Sequence, residues 1–161
     1  MDVRFVICSL FLVTALHGSY SQDVRCGLLV QLQSPNQQYK RTYVKDVAAI
    51  HSVSVHRRLS WAPCTLGQTF GSRGASIYVD KGCGAVFNLC YIDGDLRRGE
   101  CRSYFQPQTC RYSLKNTIVS VEIIRQLSKT PCVYNQNLFV SGPFITVHRG
   151  CAADFLVGVD S

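Results

Sequence analysis

The sequence lacks most of the patterns that mark enzymes, metal proteins and membrane proteins. It has no C-x-x-C pair, no H-x-x-x-H spacing and no G-x-S-x-G turn. The first two absences argue against the common ligand spacings of zinc sites, and the third against the nucleophile elbow of α/β-hydrolases. No metal and no other cofactor is expected. There is no Asn-x-Ser/Thr acceptor, because Asn116 is followed by Thr117 and Ile118, so N-glycosylation is not expected. No apolar run reaches the roughly 18 residues of a spanning helix. Beyond the N-terminus, no segment carries a 3.6-residue apolar face capped at both ends. That argues against membrane insertion and against the amphipathic helix of a membrane-disrupting toxin.

The apolar stretch that does occur is Phe5 to Leu16, after a short start containing Arg4 and before Ser19-Tyr20-Ser21. A basic start, a short h-region and a small-x-small site read as a signal peptide over 1–21, cleaved after Ser21. Export places the remaining 140 residues in an oxidising compartment. Of nine cysteines, Cys8 leaves with the leader, and Cys26, Cys64, Cys83, Cys90, Cys101, Cys110, Cys132 and Cys151 remain. An even set in a secreted chain reads as a disulfide framework. The net charge of +7 survives cleavage, since the leader removes Arg4 and Asp2 together. The basic residues are scattered without a run, which suits solubility or contact with acidic glycans, matrix or mineral, and nucleic acid is not an expected partner outside the cell.

Laid over itself at an offset of 68 residues, Ile50–Leu89 matches Ile118–Val157 without a gap, with 16 of 40 positions identical. Pro63/Pro131, Cys64/Cys132, Gly74/Gly142, Gly82/Gly150, Cys83/Cys151 and Phe87/Phe155 are among them. Each copy alternates apolar residues with period two: Val53, Val55, Arg57, Leu59, and Val121, Ile123, Arg125, Leu127. That predicts a strand with one buried face. A second strand is expected through Ile77 and Val79 (Ile145, Val147) and a third through Ala85, Phe87 and Leu89 (Ala153, Phe155, Val157), with a bulge or tight turn at the glycine between them. The fold class is all-β: two small disulfide-stapled units in tandem, packed together, over 22–92 and 101–161. The charged, glycine-containing segment 93–100 is expected to be a connecting loop. Cys64 and Cys83, and Cys132 and Cys151, are expected to make equivalent bonds. Cys26 and Cys101 open the two copies. Cys90 and Cys110, which lack counterparts, are left to bridge the copies or to bond another subunit.

The strings R-R-L-S-W-A-P-C-T-L-G-Q-T-F-G with I-Y-V-D-K-G-C-G-A-V-F, and R-Q-L-S-K-T-P-C with I-T-V-H-R-G-C-A-A-D-F, resemble the cysteine-rich unit of the sea-hare egg lectins. A small bacterial domain of unknown function shares the signature. The resemblance spans most of Cys26 to Val157. It implies a secreted, metal-independent lectin for galactose or galacturonic acid that forms a disulfide-linked or tight homodimer. The second copy departs from the pattern: Thr146 stands for Tyr78, His148 for Asp80 and Asn135 for Gly67.

A galactose-type site needs a flat apolar face and planar polar groups, and a uronic acid adds a need for a cation. Trp61, the only tryptophan, lies beside Arg58 at a strand end. It suits the core and a site about equally, because Lys129 stands at the matched position, where a shared core residue would more often stay apolar. Tyr78 and Asp80 share one side of their strand, and Arg73 completes the candidate set of Arg58, Trp61, Arg73, Tyr78 and Asp80. The first copy is therefore expected to bind sugar more strongly than the second. Arg57 and Arg125 read as structural arginines. Catalysis is not expected: His51, His56 and His148 stand alone, and the acids Asp80, Asp93, Asp95, Glu100, Glu122 and Asp154 are not matched between copies. The alternative reading is a structural protein of the extracellular matrix, such as an egg coat, mucus or mineralised shell.

Overall fold

The computed structural model describes residues 23–161, so the expected signal peptide lies outside the described residues. Eleven strands run in chain order: β1 (Val24–Gln33), β2 (Lys40–Tyr43), β3 (Val47–Arg58), β4 (Phe70–Arg73), β5 (Ser76–Val79), β6 (Gly84–Arg102), β7 (Gln108–Arg111), β8 (Ile118–Gln126), β9 (Leu138–Ser141), β10 (Phe144–Val147) and β11 (Ala152–Asp160). Between β1 and β2 lies one turn of 3₁₀ helix, Pro35–Gln37. The all-β expectation holds.

β6 is the spine. Its first half, to Asp93, is flanked by β1 on one side and β3 on the other, and its second half, from Gly94, pairs with β11, which in turn pairs with β8. Each half carries a three-stranded sheet, β2-β5-β4 or β7-β10-β9. The segment 93–100, expected to be a loop, is thus the interior of a 19-residue strand. Its charges do not prevent this, because Asp95, Arg97, Arg98 and Glu100 are exposed while the backbone is bonded to β11 from Gly94 to Arg102. The one strand closes the first copy and opens the second.

The repeat is visible in individual bonds. Leu59 N donates to Gly84 O at 2.7 Å and Leu127 N to Ala152 O at 2.8 Å; Asp80 N donates to Thr69 O at 2.8 Å and His148 N to Asn137 O at 2.9 Å. Lys81 and Arg149 take φ of 51° and 49°, and Gly82 and Gly150 take 83° and 77°, so the turn expected at those glycines is present twice. Asn135 takes φ 60° where Gly67 takes 77°. Asparagine tolerates this left-handed conformation, so that departure from the repeat pattern serves the backbone.

Two cores result, one per copy. The first packs Ile77, Val79, Phe87 and Leu89, all fully buried, with Phe70 and Val53. The second packs their counterparts Ile145, Val147, Phe155 and Val157 with Leu138 and Ile118. The burial expected along β3 stops early: Val53 is buried but Val55 and Leu59 are 37% and 40% exposed. The pairing of β3 with β6 shifts register between Val55 and Arg57, and the strand end projects past its core.

Cys64–Cys83 and Cys132–Cys151 form equivalent bonds, as expected. The remaining pairs correct the expectation for Cys90 and Cys110. Cys26 bonds Cys90 within the first copy and Cys101 bonds Cys110 within the second. Nor are Cys26 and Cys101 counterparts. Cys101 faces Ala153 where Leu32 faces Ala85, and Cys110 faces Ile145 where Thr42 faces Ile77. All eight described cysteines are paired within the chain, leaving none for the disulfide-linked dimer that the resemblance implied.

Candidate functional site

At one end of each copy, two chain segments converge on the Gly-Cys turn. In the first copy, the Ser60 hydroxyl accepts from Gly84 N at 2.9 Å and donates to Ala62 O at 3.0 Å. Both ends of the hydroxyl are thereby fixed, and the chain bends around the residue between. That residue is Trp61, which is 101% exposed. The core reading of Trp61 is excluded. Ser128 makes the same bends with Ala152 N at 3.0 Å and Thr130 O at 2.7 Å, and there the residue thrown outward is Lys129.

Ala62 packs on Gly82, where an added Cβ would come within 3.2 Å of it. The Asp80–Cys83 turn also receives the other segment, since Ser34 N donates to Cys83 O at 2.9 Å and the Ser34 hydroxyl accepts from Gly82 N at 3.1 Å. The segments that carry Trp61 and Asp80 therefore come together at one end of the copy. Asp80 accepts from Lys81 N at 2.8 Å, which helps hold the turn. Tyr78 lies two residues away along β5, its ring stacked on Tyr39 at 5.6 Å. It also lies over Gly71, where a Cβ would come within 2.6 Å of its hydroxyl oxygen. Arg58 ends β3 beside Ala85, its side chain exposed.

Arg73 does not join this group. It pairs with Ser76 at the far end of the β4–β5 hairpin, three pairs from Val79, about 10 Å along the strand. There it lines a groove of about 360 Å³ between the copies, with Ser120, Glu122, Ile123, Tyr134 and Val140 opposite. Glu122 is held from the first copy: Arg41 Nη1 and Nη2 each donate to its carboxylate at 2.6 Å, and the Tyr43 hydroxyl donates at 3.2 Å. The Arg41 bonds keep the Glu122 carboxyl below the usual carboxylate range, against the opposing effect of its burial. The groove and its Arg41–Glu122 pair were not legible in the sequence, because neither residue has a chemically like partner at 68 residues' distance.

Of the two repeat-matched arginines, Arg125 pairs with Asp154 at 2.7 Å, as a structural arginine should. Arg57 faces Val86 instead. Sequence reasoning also missed Tyr104 and Phe105, 72% and 100% exposed, because the ungapped comparison begins at Ile118. Admitting one gap and aligning Ser34 with Ser103 would have placed them. Among the described residues, no group of three or more His, Cys, Asp or Glu is placed to hold a metal ion, and no helix is long and apolar enough to cross a membrane.

No family model matches the chain, and no solved structure matches it. A curated relative does: Lectin ADEL of Aplysia dactylomela, 29% identical over 140 residues, covering 78% of this chain and 61% of the relative. The chain thus spans about three-fifths of the length of the curated relative it matches. The similarity bears out the resemblance to the sea-hare egg lectins read from the cysteine-rich strings.

Proposed function

We propose that this chain is a secreted, metal-independent lectin for galactose-type or acidic sugars, which binds ligand and catalyses nothing. The observation that carries the reading is its similarity to a lectin along 78% of its length. The local chemistry supports it. A fully exposed tryptophan, carried on a bend whose backbone is fixed by the Ser60 hydroxyl, offers a flat apolar face to the C–H patch of a sugar. Asp80 supplies an acceptor for hydroxyls, and the stacked Tyr39 and Tyr78 a second flat surface. The first copy's end, with Trp61, Tyr78, Asp80 and Arg58, is the primary site, and Arg73 stands apart from it in the groove between the copies. Any homodimer of the described chain is non-covalent, because its eight cysteines are internally paired.

The test is calorimetric titration with galactose and galacturonic acid, with and without EDTA. Binding in the millimolar range or tighter, unchanged by EDTA, is expected. Trp61→Ala should weaken galactose binding about fivefold, the equivalent of about 1 kcal/mol of stacking, while Lys129→Ala leaves the primary site intact. Absence of binding to either sugar would overturn the lectin reading. Recovery of the native protein only from an insoluble matrix would then favour the structural alternative.

A further inference from the structure

The second copy has no aromatic residue at position 129, yet its end is not without an aromatic face. The segment that docks on its Gly-Cys turn is anchored as in the first copy. Ser103 N donates to Cys151 O at 2.9 Å, as Ser34 N does to Cys83 O, and the Ser103 hydroxyl donates to Gln106 O at 2.9 Å as that of Ser34 does to Gln38 O at 2.7 Å. Where the first copy carries Pro35, Asn36 and Gln37 on this segment, the second carries Tyr104 and Phe105. Phe105 is 100% exposed and Tyr104 72%, beside a hollow of about 340 Å³ that they line with Gln106, Pro107, Gln108 and Arg102, whose guanidinium donates to the Glu100 carboxylate at 2.9 Å. The other segment reaches the same turn, because Thr130 Oγ1 lies 3.3 Å from where a Cβ on Gly150 would sit. Lys129 and Arg149 precede those two residues, and both are exposed.

The aromatic surface has therefore moved from one segment to the other, and the charge has changed with it. The three first-copy segments 34–38, 60–63 and 80–83 contain Asp80 and Lys81 and are neutral in sum. Their counterparts 103–107, 128–131 and 148–151 contain Lys129 and Arg149 and no acid. An apolar face beside two unpaired cations complements a sugar ring that bears a carboxylate.

We propose that the end of the second copy, with Tyr104, Phe105, Lys129 and Arg149, is a separate binding site for uronate-bearing sugars. The chain is then bivalent with unlike sites: a neutral galactoside at the first copy and an acidic one at the second. This rests on the lectin reading and adds to it a second location and a division of neutral and acidic ligands between the two copies.

Calorimetric titration of the full chain with methyl β-galactoside and with trigalacturonate, separately and in competition, tests it. One equivalent of each is expected, without competition. Phe105→Ala and the double substitution Lys129→Gln/Arg149→Gln should each weaken trigalacturonate at least tenfold and leave the galactoside unchanged, and Trp61→Ala should weaken the galactoside about fivefold and leave trigalacturonate unchanged. Since these side chains are exposed, near-native circular dichroism is expected of each variant. Competition of the two probes for one site, or trigalacturonate binding untouched by Phe105→Ala and by the double substitution, overturns the proposal. Galactoside binding without trigalacturonate binding also overturns it and leaves the lectin reading standing. If neither probe binds, both fall.

Discussion

The two copies meet the same structural demands with different side chains. In the first, Thr65 N donates to the Thr69 hydroxyl at 2.8 Å, and that hydroxyl donates to Pro63 O at 3.1 Å. In the second, Val133 N donates to Asn137 Oδ1 at 2.7 Å, and Asn137 Nδ2 donates to Pro131 O at 3.0 Å. One hydroxyl can accept and donate, and an amide divides the two tasks between its oxygen and nitrogen. What is held constant is the satisfaction of buried backbone groups. The small sheets trade volume likewise. The first sets Gly71 beneath the ring of Tyr78, and the second sets Phe139 opposite Thr146.

The second disulfide is where the copies diverge most, and the junction explains it. The counterpart of Cys90 is Gly158, where any Cβ would overlap the Ala48 carbonyl of β3 and crowd the Ser120 hydroxyl. That hydroxyl donates to Ala48 O at 2.6 Å. No cysteine fits there, so the second copy cannot repeat the Cys26–Cys90 bond and instead ties its main sheet to its small sheet through Cys101–Cys110.

The sharpest way to break this comparison is Gly158→Ala. The overlapped atom is backbone and cannot swing aside, so a loss of about 4–5 kcal/mol in urea denaturation is expected. Gly142→Ala, at φ 53° with no atom within 4 Å, should cost only about 1 kcal/mol. Equal costs would show that the copies do not press together at Gly158.

Next come the two unmatched disulfides. Cys26–Cys90 closes 64 residues and Cys101–Cys110 closes 9. Loop-closure entropy then predicts losses of about 4 and about 2.5 kcal/mol for the paired serine substitutions. Reversal of that order would mean that the tie between sheets in the folded state outweighs the loop closure that constrains the unfolded ensemble.

Removing the contact between copies at Arg41–Glu122 should cost less. Both side chains are largely buried, 21% and 10% exposed, and Glu122→Gln leaves a cation without its partner, a loss of about 2 kcal/mol at pH 7. The Glu122 carboxyl is held below its usual range by the Arg41 bonds. Its contribution is therefore complete above the unfolded carboxylate pKa and disappears as pH falls through the folded value. The gap between wild type and Glu122→Gln should close on acidification below about pH 4. A constant gap would assign the stability to packing alone.

How much of this was legible follows from whether a feature repeats locally. The strands through Val53, Ile77, Val79 and Phe87 could be read because alternation and the Gly-Cys turn recur at 68 residues. The Cys64–Cys83 and Cys132–Cys151 bonds could be read for the same reason. Residues 93–100 misled because Asp93-Gly94-Asp95 carries turn chemistry, whereas the pairing with β11 that makes it a strand comes from residues nearly 60 positions later. Arg73 was grouped with Trp61 and Asp80 because all lie in the first copy, but Arg73 sits at the turn end of the β4–β5 hairpin whereas Asp80 follows its open end. Tyr104 and Phe105 stood outside the ungapped repeat, although they occupy the end of the second copy that corresponds to the end of the first where Trp61 lies.

The smallest effect concerns a pair of positions where the copies again trade volume. Val44 N donates to Ala75 O at 3.0 Å and Tyr112 N to Pro143 O at 2.9 Å, so Val44 and Tyr112 are counterparts. Val30 faces Phe87 as Gly99 faces Phe155. The first copy fills the space with two valines. The second uses a tyrosine whose ring lies over a glycine, with a Cβ on Gly99 coming within 2.7 Å of it. The hydroxyl gains nothing from this arrangement: it is buried and has no hydrogen-bond partner among the described residues. Burial first, then the Asp154 and Glu100 charges, push its pKa up to about 12. Tyr112→Phe keeps the ring and removes the desolvated hydroxyl, so stability at pH 7 should be unchanged or higher by up to about 1 kcal/mol. The folded state holds the phenolic proton more tightly than the unfolded chain does. Wild type should therefore lose stability as pH rises from the ordinary tyrosine value of 10.0 to about 12, while the phenylalanine variant lacks that loss and its advantage widens. Urea denaturation of both proteins at pH 7 and across the alkaline range measures this. A Tyr112→Phe variant clearly less stable than wild type at pH 7 would show that the hydroxyl has a bonding partner after all.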